Sequence, residues 1–398
     1  MSASPGEPAR DGIPTATPRA MVYVRDSGSE GIVRLALADL GVDGTSFSTG
    51  GVGAAIAALA QRESPRLLVV DISGTDDPVA RVHDLAQLCE PTTGVVVIGD
   101  TNDVVLYRNL KHAGIVEYFF KPLVSSLVGT TFGYILNGSG SPAALHTGKL
   151  VVIMGMRGAA GATSVATAAA WHLAEVSHRH VLLLDLDLTA GDMALQLDQV
   201  PNHTLSEALQ QPQRVDDMFI DRGVLHVTAR LDLLASLEPL EPSSPFTEAS
   251  LLLLLDNLLS RYRYVFIDLP AALAPQFPRL LQLPGVTILI CDPSLVAARD
   301  LARWREMIGP NTASRSTVHI LNKAGAYGSL PTEEFARAAG HTPDLMIPYE
   351  REIAAASLEG AKGLNKHGGL IRALGPALQN ITGEAMPASP SLLSRIFG

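Results

Sequence analysis

Cysteine is nearly missing from this chain of 398 residues. Cys89 and Cys291 lie far apart in apolar surroundings, which argues against a disulfide framework or a cysteine-rich metal domain and leaves two buried thiols as the expectation. Long hydrophobic runs are missing too. None approaches the roughly 18 residues that a membrane span needs, and the polar, Pro-rich start lacks the charged-then-apolar order of a signal peptide. The expected location is therefore the cytoplasm. A basic excess is also lacking, with Lys+Arg 30 against Asp+Glu 40 and a net charge of −10. Split after Leu145, the halves carry ten basic against fifteen acidic residues and twenty against twenty-five, or −5 each. That balance argues against nucleic acid as a partner of either half. Arg299, Arg303 and Arg305 fall on one helical stretch; a solvated face is the expectation there, and DNA segregation is the alternative it leaves.

What is present is a composition for packed cores: 47% hydrophobic and 18% charged residues, in a length that suits two domains. Residues 1–19 read as a disordered lead-in rich in Ser, Pro, Ala and Gly. From Ala20 short apolar runs alternate with helical stretches. Strands are expected at Met21–Val24, Leu67–Val70, Val95–Ile98 and Glu117–Phe120, and helices at Gly31–Leu40, Ala54–Gln61, Val79–Cys89, Val104–Ala113 and Ser125–Leu136. Repeated β–α units of this length predict a parallel sheet covered on both faces over residues 20–136. Asn137-Gly-Ser-Gly-Ser-Pro142 opens a linker, 137–148. A second α/β series follows over 149–380, with strands at Leu150–Met154, Val181–Leu184, Val265–Ile267, Thr287–Ile290 and Val318–Leu321. The Leu251–Leu255 run predicts a buried helix ahead of a strand. Residues 381–398 form a tail.

The sharpest feature is Met156-Arg-Gly-Ala-Ala-Gly-Ala-Thr-Ser164, set between an apolar strand and a helix over Val165–Val176. Small residues let the backbone approach a phosphate, and the helix start aims N–H groups at it. Four landmarks follow in order. Leu184-Asp-Leu-Asp187 ends a strand and runs through Leu188 to Gly191-Asp192. Tyr264-Val-Phe-Ile-Asp268 ends a strand in a carboxylate suited to the water shell of Mg²⁺. Leu321-Asn322-Lys323 ends another, where an amide can read a base edge. Ile347-Pro348-Tyr349-Glu350 precedes a helix.

Over about 210 residues, Lys149 to Gly360, this order resembles the ParA/MinD family of deviant Walker-motif ATPases. Within it, Asp185-Leu-Asp-Leu-Thr-Ala-Gly-Asp-Met-Ala-Leu-Gln-Leu-Asp198 is similar to the second motif of the pilus-assembly group called CpaE or TadZ. The resemblance implies a P-loop NTPase fold and an ATP-sandwiched homodimer. ATP would be held by Arg157, Gly158, Gly161, Ala162, Thr163, Ser164, Asn322 (against adenine) and Pro348. Thr163 and Asp268 would serve Mg²⁺, and Asp187 would orient the attacking water. The family loop reads Lys-Gly-Gly-x-Gly-Lys-Thr; here Arg157 replaces the first lysine and Ala162 the second. A methyl group cannot neutralise β- and γ-phosphate charge, so the expectation is nucleotide binding with, at most, slow hydrolysis. Arg157 has the fork geometry to reach a phosphate, also across a dimer.

The first half resembles response-regulator receiver domains, a flavodoxin-like fold. In a receiver's own strand count Asp71 ends the third strand and matches the phosphoacceptor, and Lys121-Pro122 follows the fifth and matches the Lys-Pro pair, a tight turn that is often cis. Receivers carry two adjacent carboxylates after the first strand; Arg25-Asp26 offers one. The hydroxyl residue closing the fourth strand is Gly99 here, with Thr101 two residues late. A docking domain of receiver fold is expected rather than a phosphorylation switch. At the far end, Leu392, Leu393, Ile396 and Phe397 with Arg395 would make a short amphipathic helix, giving weak membrane contact or a partner hook at the inner membrane or cell pole. The function expected is an ATP-binding scaffold of a Tad/Flp-type pilus machine, with the pilus secretion ATPase or inner-membrane pilus proteins as partners. An actively hydrolysing positioning ATPase and a phosphorylation-controlled regulator are the alternatives.

Overall fold

The computed structural model describes residues 18–137, 148–239, 246–367 and 369–383. The chain divides into two compact units, 1–145 and 146–398. Most of the expected lead-in and linker, and the tail beyond residue 383 with its amphipathic end, lie outside the described residues.

In the first unit, β1 (Ala20–Val24), β2 (Thr45–Thr49), β3 (Leu67–Asp71), β4 (Gly94–Gly99) and β5 (Glu117–Phe120) form a parallel sheet in the order β2-β1-β3-β4-β5. That is the order of flavodoxin-like folds. β1, β3 and β4 are buried along their whole length, as strands covered on both faces must be. Alternation sends Met21, Tyr23, Leu68 and Val70 into one core and Val22, Val24, Val69 and Val96 into the other. Asp26, Asp77 and Asp103 each accept a backbone N–H at a helix start, so acidic caps fix where three of the helices begin. β2 has no counterpart among the expected strands. Its Thr-Ser-Phe-Ser-Thr sequence is a half-exposed edge, and only Phe47 offers an apolar signal.

The second unit carries β6 (Lys149–Gly155), β7 (Val181–Asp185), β8 (Leu225–His226), β9 (Leu231–Leu234), β10 (Tyr264–Asp268), β11 (Gly285–Cys291), β12 (Arg315–Ala324) and β13 (Leu345–Pro348). They lie in the order β13-β12-β11-β6-β10-β7-β9-β8, parallel except for β8. The five expected strands are all present; β8, β9 and β13 are additions of two to four residues, too short for alternation to declare itself. The leucine run lies in the helix Glu248–Leu259 ahead of β10, burying Leu251, Leu254, Leu255 and Leu258 while Leu253 stays exposed. The last described helix, Gly369–Thr382, runs two residues into the stretch assigned to the tail. No described helix is long and apolar enough to cross a membrane.

The strand order reverses around β6: the chain leaves it toward β10 and β7 on one side and later returns through β11 and β12 on the other. Such a switch point opens a crevice at the carboxyl ends of the strands. Asp268 pairs in register with Ile153 and with Asp185, which sets both carboxylates at the end of β6 from which the glycine-rich loop departs.

Candidate functional site

The loop after β6 is held open by backbone geometry. Ala159 has a positive φ of 61° and Gly161 one of 97°. A side chain at Gly161 would put its Cβ 2.4 Å from Asn322 Nδ2, so this position requires glycine for space as well as for conformation. From Ala162 the chain enters a helix to Glu175 with no side chain capping its start. Its first-turn N–H groups have no intrahelical acceptors and face the crevice mouth, where an anion satisfies them.

The end of β12 grips this loop. Asn322 Nδ2 donates to the Ala160 carbonyl at 2.8 Å, and Lys323 Nζ donates to the Ala159 carbonyl at 2.6 Å. Lys323 itself has φ 57°, a conformation uncommon outside glycine, and this turns its side chain back over the loop. Two neighbouring residues therefore hold two neighbouring carbonyls. The family resemblance assigns Asn322 to adenine and assigns Lys323 no role. The signal for Lys323 was its place beside Asn322, but a left-handed lysine cannot be read from sequence.

Opposite the helix start stand the acids. Thr163 Oγ1 donates to Asp268 Oδ2 at 2.6 Å, so a hydroxyl and a carboxylate offer neighbouring hard oxygens. Burial pushes the Asp268 carboxyl up to about 6, against the hydrogen bond from Thr163 and with the help of Asp192 and Asp187. Burial, with Asp268 beside it, pushes Asp185 up to about 7. Asp185 organises the next loop, accepting from the N–H groups of Asp187 at 3.1 Å and Met193 at 3.2 Å. Gly191 passes so close that a Cβ there would lie 2.4 Å from Asp185 Oδ2. Asp187 accepts from Ala190 N at 3.0 Å and is left half-buried, facing the crevice.

These groups line one open cavity of about 860 Å³. Every nucleotide and metal residue expected from the sequence borders it: Arg157, Gly158, Gly161, Ala162, Thr163, Ser164, Asp187, Asp268, Asn322 and Pro348. Lys323, Asp185, Tyr349 and Glu350 join them. The fit to Mg²⁺ and a nucleotide is good in the uncapped helix start, the Gly161 cradle and the Thr163–Asp268 pair. It is poor at Ala162, where the loop supplies a methyl group. Arg157 is exposed at the rim, and its guanidinium makes no hydrogen bond or ion pair among the described residues.

The first unit holds a second polar cluster. Lys121 Nζ lies 2.7 Å from both Asp26 Oδ2 and Asp71 Oδ2. Asp71 is fully buried and accepts from Arg25 N at 3.1 Å and Ser73 N at 2.9 Å. Burial raises its carboxyl, but Lys121 and these N–H groups outweigh that and hold it below the usual range. The Lys121 hydrogen bond lowers Asp26 to about 2. Asp26 also caps its helix through Ser29 N at 2.7 Å. The Lys121–Pro122 bond is cis. At Gly99 a Cβ would meet Tyr118 Oη at 2.5 Å, and that hydroxyl donates to the Thr101 carbonyl at 2.7 Å. A tyrosine thus fills the space beside the fourth strand.

Residues 148–305 match the family model of cellulose biosynthesis protein BcsQ. Among solved structures, a ParA family ATPase from Chlorobium tepidum TLS is 19% identical with a TM-score of 0.52, covering 60% of this chain and 99% of that one. The pilus assembly protein CpaE from Caulobacter crescentus CB15 is 30% identical with a TM-score of 0.28, over 29% of this chain and 97% of that one. The septum site-determining protein MinD complexed with Mg-ADP from Pyrococcus horikoshii OT3 is 19% identical with a TM-score of 0.45, over 63% and 98%. Among curated proteins none matches.

Proposed function

From the premise that the second unit has the P-loop ATPase fold of the BcsQ and ParA–MinD family, we propose that this protein is an ATP-binding scaffold. In this reading ATP with Mg²⁺ binds and favours a homodimer, and hydrolysis is slow or absent. The observation that carries it is the combination of a complete cradle with Ala162. The loop, its helix start and the Thr163–Asp268 pair can hold phosphates and metal, whereas no ammonium from the loop meets the charge that grows on the phosphates in the transition state. Asp187 stands where it can orient water, and Mg²⁺ when bound would neutralise phosphate charge. Neither replaces the lysine. Lys323 is engaged by the Ala159 carbonyl, and Arg157 reaches phosphate only if it folds inward or comes from a second copy.

We place the scaffold in pilus assembly. The support is the resemblance of Asp185–Asp198 to the second motif of the CpaE/TadZ group, and a flavodoxin-like unit ahead of the ATPase unit. The first unit would then dock partners such as a pilus secretion ATPase or an inner-membrane pilus protein, without phosphotransfer: Lys121 already pairs with both Asp26 and Asp71, and Arg25 stands where receivers carry a second acid. The test is titration calorimetry with ATP, with and without Mg²⁺, alongside light scattering. Mg²⁺-dependent binding accompanied by a doubling of mass is expected. No binding at millimolar ATP would end the nucleotide role.

A further inference from the structure

The proposed nucleotide site makes no use of the histidines of the second unit, and two of them meet one carboxylate. His319 lies in the middle of β12, with its side chain 9% exposed. His341 and Asp344 follow the helix Thr332–Ala339 on the connection to β13. His319 Nδ1 is 2.9 Å from Asp344 Oδ2, and that same oxygen accepts the His319 backbone N–H at 2.8 Å. The Asp344 N–H in turn donates to the His319 carbonyl at 2.9 Å. With Nδ1–H donating to the carboxylate, His319 is held in the tautomer that leaves a lone pair on Nε2. That nitrogen is buried and has no hydrogen-bond partner. Nor has the buried Nε2 of His341, which lies 3.8 Å from Asp344 Oδ1. The two rings meet edge to face with centroids 4.4 Å apart.

The orphaned His341 nitrogen is costly in a purely structural cluster, because a buried acceptor forfeits its water. An ion seated between Asp344, His341 Nε2 and His319 Nδ1, the last passing its proton to Nε2 on the far edge of its ring, would partner that nitrogen and replace the Nδ1–H hydrogen bond. We propose that His319, His341 and Asp344 form a site for a divalent transition metal of the Zn²⁺ class. One ligand atom from each of the three lies within 4.8 Å of the others. Two ligands each about 2.1 Å from a tetrahedral ion stand roughly 3.4 Å apart, so closure needs a shift of about 1.4 Å at most. The 27% exposed His341 side chain, on the connection rather than in the strand, can supply it. Imidazole and carboxylate donors select Zn²⁺, Co²⁺ or Ni²⁺ over Mg²⁺. Arg305 projects from the helix Leu295–Ile308 to the Gly340 carbonyl at 3.5 Å, and its charge weakens the site. Three protein ligands with an open position and a cation nearby predict a readily exchanged ion rather than a permanent structural one. The ion would brace β12 against β13, the two strands that deliver Asn322 and Pro348 to the cavity.

The test uses the full, untagged chain, stripped with chelator and free of nucleotide. Co²⁺ should bind one per chain with the intense visible bands of a four-coordinate ion, and Zn²⁺ should displace it. His341→Ala, on the accessible side of the site, should weaken Co²⁺ at least tenfold, and Asp268→Asn in the crevice should leave it unchanged. X-ray absorption of the wild-type Zn²⁺ form should report two imidazoles in the inner shell. Fewer than two imidazoles, or equal Co²⁺ affinity in His341→Ala and wild type, would overturn the assignment. Because Asp268→Asn separates the two sites, failure here leaves the nucleotide reading intact, and the reverse.

Discussion

The hydroxyl of Thr163 donates to Asp268 at 2.6 Å, joining two residues 105 positions apart in sequence. Each ends up there because its own strand stops at the same edge: β6 feeds the loop and helix that carry Thr163, and the neighbouring β10 terminates in Asp268, in register with Ile153. A hydroxyl and a carboxylate in contact are what a hard, water-keeping cation such as Mg²⁺ requires of a protein.

Asp268→Asn should therefore weaken Mg²⁺-dependent ATP binding by about ten- to a hundredfold and leave Mg²⁺-free binding nearly unchanged. The wild type adds a pH signature. Since the Asp268 carboxyl sits at about 6, it must lose its proton to serve the metal, so affinity in Mg²⁺ should rise as pH increases through about 6. Calorimetry across that range checks both. An equal loss with and without Mg²⁺ would mean that Asp268 acts on the fold rather than on the metal.

Stability should show the opposite slope. Asp185 at about 7 and Asp268 at about 6 both stand above the unfolded carboxylate value of about 3.9. The folded state thus binds more protons across this interval, and the second unit should lose stability as pH rises from about 4 through 7. Asp185→Asn should flatten that slope even if it lowers the midpoint by giving up one acceptor. Thermal unfolding of wild type and variant, without Mg²⁺, measures it; parallel slopes would contradict the account.

The grip of β12 on the loop predicts a graded series. Lys323→Ala removes one hydrogen bond and should weaken ATP several-fold, since such a bond contributes about 1 kcal/mol. Asn322→Ala should cost more if the amide also meets the base. Gly161→Ala should be the most damaging, because its Cβ would stand 2.4 Å from Asn322 Nδ2 at a φ of 97°. The affinity order wild type, Lys323→Ala, Gly161→Ala is the expected readout, and an unaffected Gly161→Ala would show that the loop is not the cradle.

Much of this was legible in the sequence because strands buried on both faces announce themselves. The apolar runs at Leu67, Val95, Leu150, Val181 and Thr287 predicted the interior of both sheets, and Asp185 and Asp268, which end β7 and β10, marked the crevice. Edges were illegible. Thr45–Thr49 and Leu225–His226 carry no pattern that separates a strand from a loop, since half of each faces out. The site was readable where a motif fixes spacing, at Gly158, Thr163 and Asp268. Lys323 was not, because its place at the cavity depends on a left-handed backbone and on a carbonyl 164 positions away.

In the first unit, Lys121→Met should destabilise by about 3 kcal/mol, because it strands the fully buried Asp71 without its cation. With Asp71 so occupied and Arg25 beside Asp26, acetyl phosphate with Mg²⁺ should leave the intact mass unchanged. Stoichiometric, Mg²⁺-dependent phosphorylation of Asp71 would make this unit a switch after all. Denaturant unfolding and mass spectrometry supply the two readings.

The central claim, a nucleotide held but hardly consumed, is tested most directly by phosphate release at saturating ATP and Mg²⁺ in wild type and in Ala162→Lys. Removing one preorganised contact to the developing charge costs on the order of 3 kcal/mol, or roughly a hundredfold in rate. Wild-type turnover should therefore be far below about one per second, and Ala162→Lys should raise turnover or affinity by restoring a cation to an otherwise complete loop. Wild-type turnover near one per second, or a lysine at 162 that changes neither quantity, would contradict it.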